Sequence, residues 1–410
     1  MARTCWGTVD GGAGRDTRVY DIAGQATLGA LQGFEGLEKR GDGALRIDGP
    51  DATGLEDVEV LGGTLHVRVA GAIEGVLQSR VAHAASLQVD GHFAGSAGAD
   101  TMTVAGVVLG SGRVDLGAGN DMLVLQDGAD LSGLSQALAG GDGEDTLHVD
   151  IAGTTALAGV TQFERLDKRG TGTLQILGVA PSDFARVAVD AGTVEVGAAG
   201  SITDVVDTHI AAGATLHVDG HYAGSGGDDT LTVAGRLSGS ATVDLADGDD
   251  TLIVREGAEF ANRVVGGAGS DTLLLDNAAA LAFEAGAHSD FERLHKRNTG
   301  TAVLVGRQDS AYTEGVRIDA GTLVVDASRA LRAPTLYIAG DTDGDFATYS
   351  RNIYNATPGD LRDILIVKAQ QHGLRLFDAE TQATLEVRNA VESFLSAHAP
   401  LTPPPSSPPS

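Results

Sequence analysis

Single aspartates recur at a fixed spacing along the chain, and carboxylates in such a pattern could bind a metal ion. Residues 229, 250 and 271 are each an Asp followed by Thr-Leu, and they are 21 residues apart. On successive β turns about 4.8 Å apart, two such charges repel by about 1 kcal/mol in water and about 3.5 kcal/mol at an effective dielectric constant of 20. Bound calcium or backbone N–H donors must offset this repulsion. The candidate calcium ligands are Asp121, Asp145, Asp229, Asp250 and Asp271.

Two of these aspartates occupy the Asp position of a glycine-rich pattern, Gly-Gly-x-Gly-x-Asp-x-apolar. The matches run over residues 140–147 and 266–273. In the calcium-binding β-rolls of RTX proteins, the glycines of such peptides allow the turn and the Asp supplies oxygen ligands. The matches here are isolated, whereas RTX sites take ligands from adjacent copies. Two interpretations stay open: a calcium-binding RTX-like module, or turns whose Asp side chains accept backbone N–H bonds.

A short adhesive motif, Arg40-Gly41-Asp42, is a second candidate site. This tripeptide is of the kind that integrins bind, and it falls on a predicted turn, where a loop tip would present it. The equivalent positions in the rest of the chain read Arg-Gly-Thr at 169–171 and Arg-Asn-Thr at 297–299. What the three positions share is therefore a turn, and the complete Arg-Gly-Asp tripeptide occurs at one of them.

A long internal repeat supplies the elements that would position these residues. The segment 34–40, Phe-Glu-Gly-Leu-Glu-Lys-Arg, recurs in variant form 129 residues later as Phe-Glu-Arg-Leu-Asp-Lys-Arg at 163–169. It recurs again 128 residues after that as Phe-Glu-Arg-Leu-His-Lys-Arg at 291–297. We expect its first residue to lie in the core and its Lys-Arg pair to form a solvated turn. Within each long copy, the spacing of about 21 residues is typical of a solenoid, whose units bury their apolar faces only by stacking. The predicted core residues are Phe34, Phe163 and Phe291, and the predicted solvated lysines are Lys39, Lys168 and Lys296.

The repeating unit has the pattern of β structure. Short segments such as 215–219, Thr-Leu-His-Val-Asp, alternate aliphatic with other residues, which turns one side of a strand inward. The 58 glycines favour turns with positive φ over long helices. The sequence therefore predicts an all-β fold, a right-handed parallel β-helix solenoid with a C-terminal β cap that protects its open sheet edge.

The repeat also predicts the division of the chain. Residues 1–9 are an atypical start, 10–139 form copy 1, 140–265 form copy 2, and 266–340 are a partial copy 3. Residues 341–398 are more aromatic and poorer in glycine, so they are the predicted cap. Residues 399–410 are rich in Pro and Ser and are predicted to form a semi-rigid polyproline linker.

Composition excludes several classes of function. With 28 basic and 56 acidic residues the formal net charge is −28, which disfavours binding to nucleic acid phosphates or anionic membranes. A single cysteine, Cys5, cannot form an intramolecular disulfide or a cysteine metal site. The chain has no apolar run of about 18 residues and no recognisable signal segment. We expect no nucleic acid partner and no membrane insertion of this segment.

An enzymatic function is not expected. The chain contains neither a Gly-x-Ser-x-Gly elbow nor a His-Glu-x-x-His pair. Some β-helices cleave acidic polysaccharides with one Asp/Arg cluster, but the acidic residues here recur with the repeat. His92 and His221 also occupy equivalent repeat positions, which indicates a structural role. We therefore expect no catalytic residues.

The Asp-Thr-Leu coils, the Phe-Glu-x-Leu-x-Lys-Arg turn and the Pro/Ser tail resemble the passenger domains of Gram-negative autotransporters. The predicted cap is similar to that of the pertactin-like group, with Asp-Ile-Leu-Ile-Val at 363–367 and Gly-Leu-Arg-Leu-Phe at 373–377. The resemblance covers about residues 10–410. It implies a secreted or surface-displayed β-helix, associated with the outer membrane and exported by a C-terminal β-barrel translocator that this chain lacks. It also implies a role in adhesion, virulence or contact with a host cell-surface or matrix protein.

Overall fold

The fold is described by a computed structural model that covers most of the chain. The described residues are 3–4, 9–28, 31–49, 52, 54–157, 159–178, 184–305, 312–325, 335–340 and 362–367. Nearly all elements in these ranges are β-strands, and a three-residue 3-10 turn, Ala285–Ala287, is their single helical element. The chain divides into two compact units, Met1–Val264 and Val265–Ser410.

One long parallel sheet runs through the first unit and receives a strand from each successive turn. Every strand pairs in parallel with the next one in the sheet, about 20 residues further along the chain. The strands, in order, are Thr17–Asp21, Gly36–Arg40, Asp57–Val60, Gln78–Val81, Thr101–Val104, Met122–Gln126, Thr146–Asp150, Arg165–Arg169, Arg186–Val189, Asp207–Ile210, Thr230–Val233 and Thr251–Arg255.

Shorter parallel sheets form the other faces of the first unit. A seven-stranded sheet contains Arg3–Thr4, Gln25–Thr27, Ala44–Ile47, Thr64–Val67, Ser86–Val89, Val107–Gly110 and Asp130–Leu134. A separate six-stranded sheet contains Thr154–Leu157, Thr173–Ile176, Thr193–Val196, Thr215–Val218, Arg236–Ser238 and Glu259–Phe260. The remaining strands are Val9–Asp10 with Leu31–Gln32; Ala72–Val76, His92–Gly95, Arg113–Ala118, Leu138–Asp142 and Val160–Thr161; and Ser201–Val205, His221–Gly224, Thr242–Asp244 and Arg263–Val265.

The second unit is built in the same way. Thr272–Asp276, Arg293–Arg297 and Gly315–Ile318 pair in parallel on one face. A second parallel sheet contains Leu281–Glu284, Thr301–Val305 and Thr322–Val325. A third contains Thr335–Gly340 and Arg362–Val367. Apart from this last strand, the predicted cap at 341–398 lies outside the described residues, as does the predicted linker at 399–410.

The core consists of aliphatic residues stacked in register on successive turns. Leu45 lies beside Leu65, and Leu65 lies beside Leu87, with each of them at most 1% exposed. Burying one such side chain contributes about 1.5–3 kcal/mol relative to leaving it exposed. The alternation in the sequence produces this stack because every second side chain of a strand points inward. The prediction of an all-β, parallel β-helix solenoid is confirmed.

The aromatic residues at the start of the repeated Phe-Glu motif lie in the core, as predicted. Phe34, Phe163 and Phe291 are 8%, 0% and 1% exposed. No helix among the described residues is long and apolar enough to cross a membrane.

Candidate functional site

A ladder of buried carboxylates lies at the entry to the long sheet of the first unit. The backbone N–H of Asp100 donates to Oδ1 of Asp121 at 2.8 Å, and that of Asp121 donates to Oδ1 of Asp145 at 2.7 Å. The three residues are 3%, 1% and 0% exposed. Each residue directly precedes a strand of the sheet, so the parallel register places one carboxylate over the next. Backbone donors therefore offset the repulsion between these carboxylates.

Both ends of this ladder are closed by other side chains. At the first turn, Ser96 donates from its backbone N–H to Oδ2 of Asp100 at 2.5 Å and from its hydroxyl to Oδ1 at 2.8 Å. At the last turn, the backbone N–H of Asp145 donates to Oε2 of Glu164 at 2.7 Å. Glu164 is the Glu of the second Phe-Glu motif, and its longer side chain takes the place of the next Asp.

The same arrangement recurs in the other copies. Ser225 donates to both carboxylate oxygens of Asp229, whose own N–H donates to Oδ1 of Asp250 at 2.8 Å. In the second unit, the N–H of Asp271 donates to Oε2 of Glu292 at 2.9 Å. Near the start of the chain, the backbone N–H of Asp16 donates to Oε2 of Glu35 at 2.9 Å. All three Phe-Glu motifs therefore supply the last acceptor of a ladder. The one sign of this role in the sequence is that the Glu recurs, as Glu35, Glu164 and Glu292.

Burial changes the acidity of the ladder. Loss of solvent, together with the charges of the neighbouring Asp145 and Asp100, raises the pKa of Asp121 to about 6, against the opposing hydrogen bond from the Asp100 N–H. Burial likewise raises the pKa values of Asp100, Asp145 and Asp229. Within the described part of the chain, the Oδ2 atoms of Asp121 and Asp145 are buried without a hydrogen-bond partner. A proton on such a carboxyl removes a charge from a poorly solvated position.

The structure distributes the five calcium candidates along these ladders. Asp121 and Asp145 lie in one ladder, Asp229 and Asp250 in another, and Asp271 lies in the second unit. Calcium takes six to eight oxygen ligands, whereas each turn contributes a single buried carboxylate to its ladder. The described residues contain no group of three or more His, Cys, Asp or Glu side chains able to hold a metal ion. This donor set does not fit a calcium cage, and calcium binding stays a prediction.

The repeated lysines are buried, so the prediction that they lie in solvated turns is wrong. Lys39, Lys168 and Lys296 are each 0% exposed. Nζ of Lys39 donates to the carbonyls of Arg40 at 2.6 Å, Gly41 at 2.8 Å and Gly62 at 3.0 Å. The ammonium group thus closes the turn that follows its own strand. Its burial is tolerated because charge-assisted bonds to carbonyl oxygens replace water.

The other two lysines repeat this geometry. Nζ of Lys168 donates to the carbonyls of Arg169, Gly170 at 2.9 Å and Ala191 at 3.4 Å, and Nζ of Lys296 donates to those of Arg297 and Asn298, the latter at 2.8 Å. Desolvation lowers the pKa of all three ammonium groups, against the opposing influence of nearby aspartates. We call this arrangement the lysine clip.

The adhesive tripeptide lies on the first lysine clip. The Arg40 side chain is 53% exposed and pairs with Glu38, while Asp42 is exposed. Gly41 has φ of 68°, and a Cβ there would lie 2.6 Å from the carbonyl oxygen of Ile22. The glycine is thus required by the turn itself. Recognition of Arg40-Gly41-Asp42 by a partner stays a prediction.

A polar groove crosses the solvent-facing side of the long sheet near the start of the first unit. Its volume is about 480 Å³ and it spans five successive turns. Two of its carboxylates are paired with arginines: Glu38 with Arg40, and Asp57 with Arg15. The polar residues that line the groove are Thr17, Glu38, Asp57, Glu59, Gln78, Ser79, Arg80, Thr101 and Thr103.

Comparison with known proteins gives one family match. The passenger-associated-transport-repeat family matches residues 294–325, which contain the third lysine clip. No curated protein and no solved structure matches the chain. The repeat indicates an extracellular or surface location. A transport repeat of this family within a parallel β-solenoid supports the predicted resemblance of the chain to autotransporter passenger β-helices.

Proposed function

We propose that this chain is displayed by a C-terminal β-barrel translocator and acts, without catalysis, in adhesion to a host cell-surface or matrix protein. The observation that carries the proposal is the transport repeat at 294–325, because it lies within a β-solenoid. Such a solenoid presents a regular surface on each face, which suits contact with extended partners.

The polar groove supports a binding role. Arg40 forms an ion pair with Glu38, and Arg15 forms one with Asp57. Both carboxylates therefore already have a positively charged partner within the chain. Glu59 and Arg80 lie on neighbouring strands in direct register, and Thr103 follows Arg80 on the next turn. This row offers a partner an acceptor, a donor and a hydroxyl at the spacing of β-strands. Such a row favours recognition by hydrogen bonds.

Binding to immobilised matrix proteins and to intact host cells tests this proposal. The purified chain is expected to bind one of these surfaces, and Arg80→Glu is expected to weaken that binding at least tenfold. Arg236→Glu is a matched control, because Arg236 is also an exposed strand arginine but lies on another face. Equal binding by wild type and Arg80→Glu would contradict the role of the groove. Failure of the wild type to bind any such surface would contradict the adhesive function.

A further inference from the structure

The segment matched by the transport-repeat family has two counterparts in the chain. Residues 37–67 and 166–196 are its equivalents under the long repeat, and both contain the same landmarks in the same order. Each segment has a lysine at its third position, and each ends with a strand that begins at the Thr of a Gly-Thr pair. These Gly-Thr pairs are at 63–64, 192–193 and 321–322.

Strand pairing inside the three segments is identical. Leu37 lies beside Val58, Leu166 beside Val187 and Leu294 beside Val316, each at the same place in its sheet. On the second face, Leu45 lies beside Leu65, Leu174 beside Val194 and Ala302 beside Leu323. The three segments therefore have the same register on both of these faces.

Core contacts and polar contacts are repeated as well. A large apolar side chain precedes the third strand of each segment and is at most 1% exposed: Leu55, Phe184 and Tyr312. Every segment contains a lysine clip, in which a fully buried ammonium donates to the carbonyls of the next two residues. A Phe-Glu pair lies before each segment, separated from it by one residue, and its Glu accepts a backbone N–H from the preceding turn.

We infer that residues 37–67 and 166–196 are two further passenger-associated transport repeats, so that export of this chain uses three such segments, each closed by a buried lysine. This inference rests on the proposed export as an autotransporter passenger. Its competing explanation is that only 294–325 serves transport, and that the other two segments keep the same geometry for stability alone.

The lysine clips provide the first test. The full chain is joined to an autotransporter β-barrel in a Gram-negative host, and the surface-displayed fraction is measured for Lys39→Met, Lys168→Met and Lys296→Met. We expect each variant to lower display at least threefold and to a similar extent. The matched controls are Arg40→Gln, Arg169→Gln and Arg297→Gln, which change the exposed neighbouring residue and are expected to leave display within twofold of wild type.

Thermal unfolding of the purified variants separates export from stability. If all three lysine variants lower the melting temperature equally but only Lys296→Met lowers display, the inference is overturned. Equal losses of display in the arginine controls would overturn it too, since the effect would then not belong to the clip. A wild-type fusion that stays inside the cell would instead contradict the proposed export, and with it this inference.

An exchange of segments tests the inference independently of the lysine substitutions. Residues 166–196 are replaced by residues 294–325 in the full chain, and in a control by residues 101–131, which belong to none of the three segments. Equivalent repeats predict display within twofold of wild type for the first exchange and at least threefold lower display for the second. Equal display from both exchanges would overturn the inference.

Discussion

The acidity of single residues inside the carboxylate ladder should control stability near neutral pH. Asp121 is 1% exposed and accepts a bond from the Asp100 N–H, while the charges of Asp100 and Asp145 act on it from the adjacent turns. Its pKa is raised to about 6, whereas an unfolded Asp titrates near its ordinary value of about 3.9. Folding therefore takes up a proton between these two pH values.

The sign of the resulting pH dependence follows from linkage. A carboxyl with a raised pKa in the folded state contributes stability that is gained as pH falls through about 6 and is lost as pH rises through it. We expect the free energy of unfolding to increase as pH is lowered from 8 to 5. Groups with a lowered pKa, such as Asp90 and Asp127, oppose this increase only below about pH 4. Urea unfolding at several pH values measures the trend, and a decrease from pH 8 to pH 5 would contradict it.

Asp121→Asn isolates the contribution of one carboxyl to this trend. The amide oxygen keeps the acceptor for the Asp100 N–H, and the buried charge is removed. Relative to wild type, the variant should gain about 1–1.5 kcal/mol of stability as the pH is raised from 5 to 8, because wild type loses the contribution of protonated Asp121 over this range. Asp42→Asn, at an exposed turn position, is the control. The same difference between Asp121→Asn and wild type at both pH values would refute the proposed titration.

Lysine burial can be tested by removing a single ammonium. Lys168→Met keeps the aliphatic stem but leaves the carbonyls of Arg169, Gly170 and Ala191 without their donor. A buried acceptor without a partner costs about 1–3 kcal/mol, so we expect a loss of several kcal/mol in urea unfolding. Arg169→Gln, whose side chain is 56% exposed, should change stability by less than about 1 kcal/mol. Similar, small effects of the two substitutions would show that the clip contributes little.

At the scale of elements, the last backbone N–H of each carboxylate ladder also needs an acceptor. Glu164 supplies this end in the first unit, because its longer side chain reaches the Asp145 N–H from the turn of the Phe-Glu motif. Glu164→Gln keeps an acceptor oxygen, whereas Glu164→Ala leaves a buried N–H unpaired. We expect Glu164→Ala to cost about 1–3 kcal/mol more than Glu164→Gln in urea unfolding. Equal effects of the two substitutions would contradict the role of Glu164 as the last acceptor.

The elements themselves could be predicted from the sequence, but the polar contacts at their ends could not. The alternation of aliphatic residues predicts which side chains point inward. The 21-residue spacing of Asp-Thr-Leu predicts which strands lie beside each other. The burial of Lys39 was missed because lysine is usually exposed and its carbonyl acceptors come from a turn that periodicity does not describe. Glu35 and its equivalents were missed because their donors lie about 20 residues earlier, a contact visible only once the turns are stacked.

At the scale of the whole molecule, the same polar contacts recur in each copy of the long repeat. The same lysine clip and the same terminal Glu occur three times, and the segment that the transport-repeat family matches contains the third lysine clip. Stacked turns are stabilised mainly by their nearest neighbours. The lysine clips and the terminal Glu residues, placed at regular intervals, therefore limit the exposure of the buried carboxylate ladders to water. The Asp-Thr-Leu coils and the Phe-Glu motif carry the resemblance to passenger domains, but no sequence pattern identifies a receptor.

The central claim is that hydrogen bonds from the chain's own amides, rather than metal ions, stabilise the carboxylate ladders of this passenger β-helix. Thermal unfolding of the full chain by far-ultraviolet circular dichroism, first in EDTA and then in millimolar calcium, tests it most directly. We predict a cooperative β-type transition in EDTA whose melting temperature does not change with calcium. A chain that is disordered in EDTA and folds when calcium is added would contradict the claim and favour an RTX-like module.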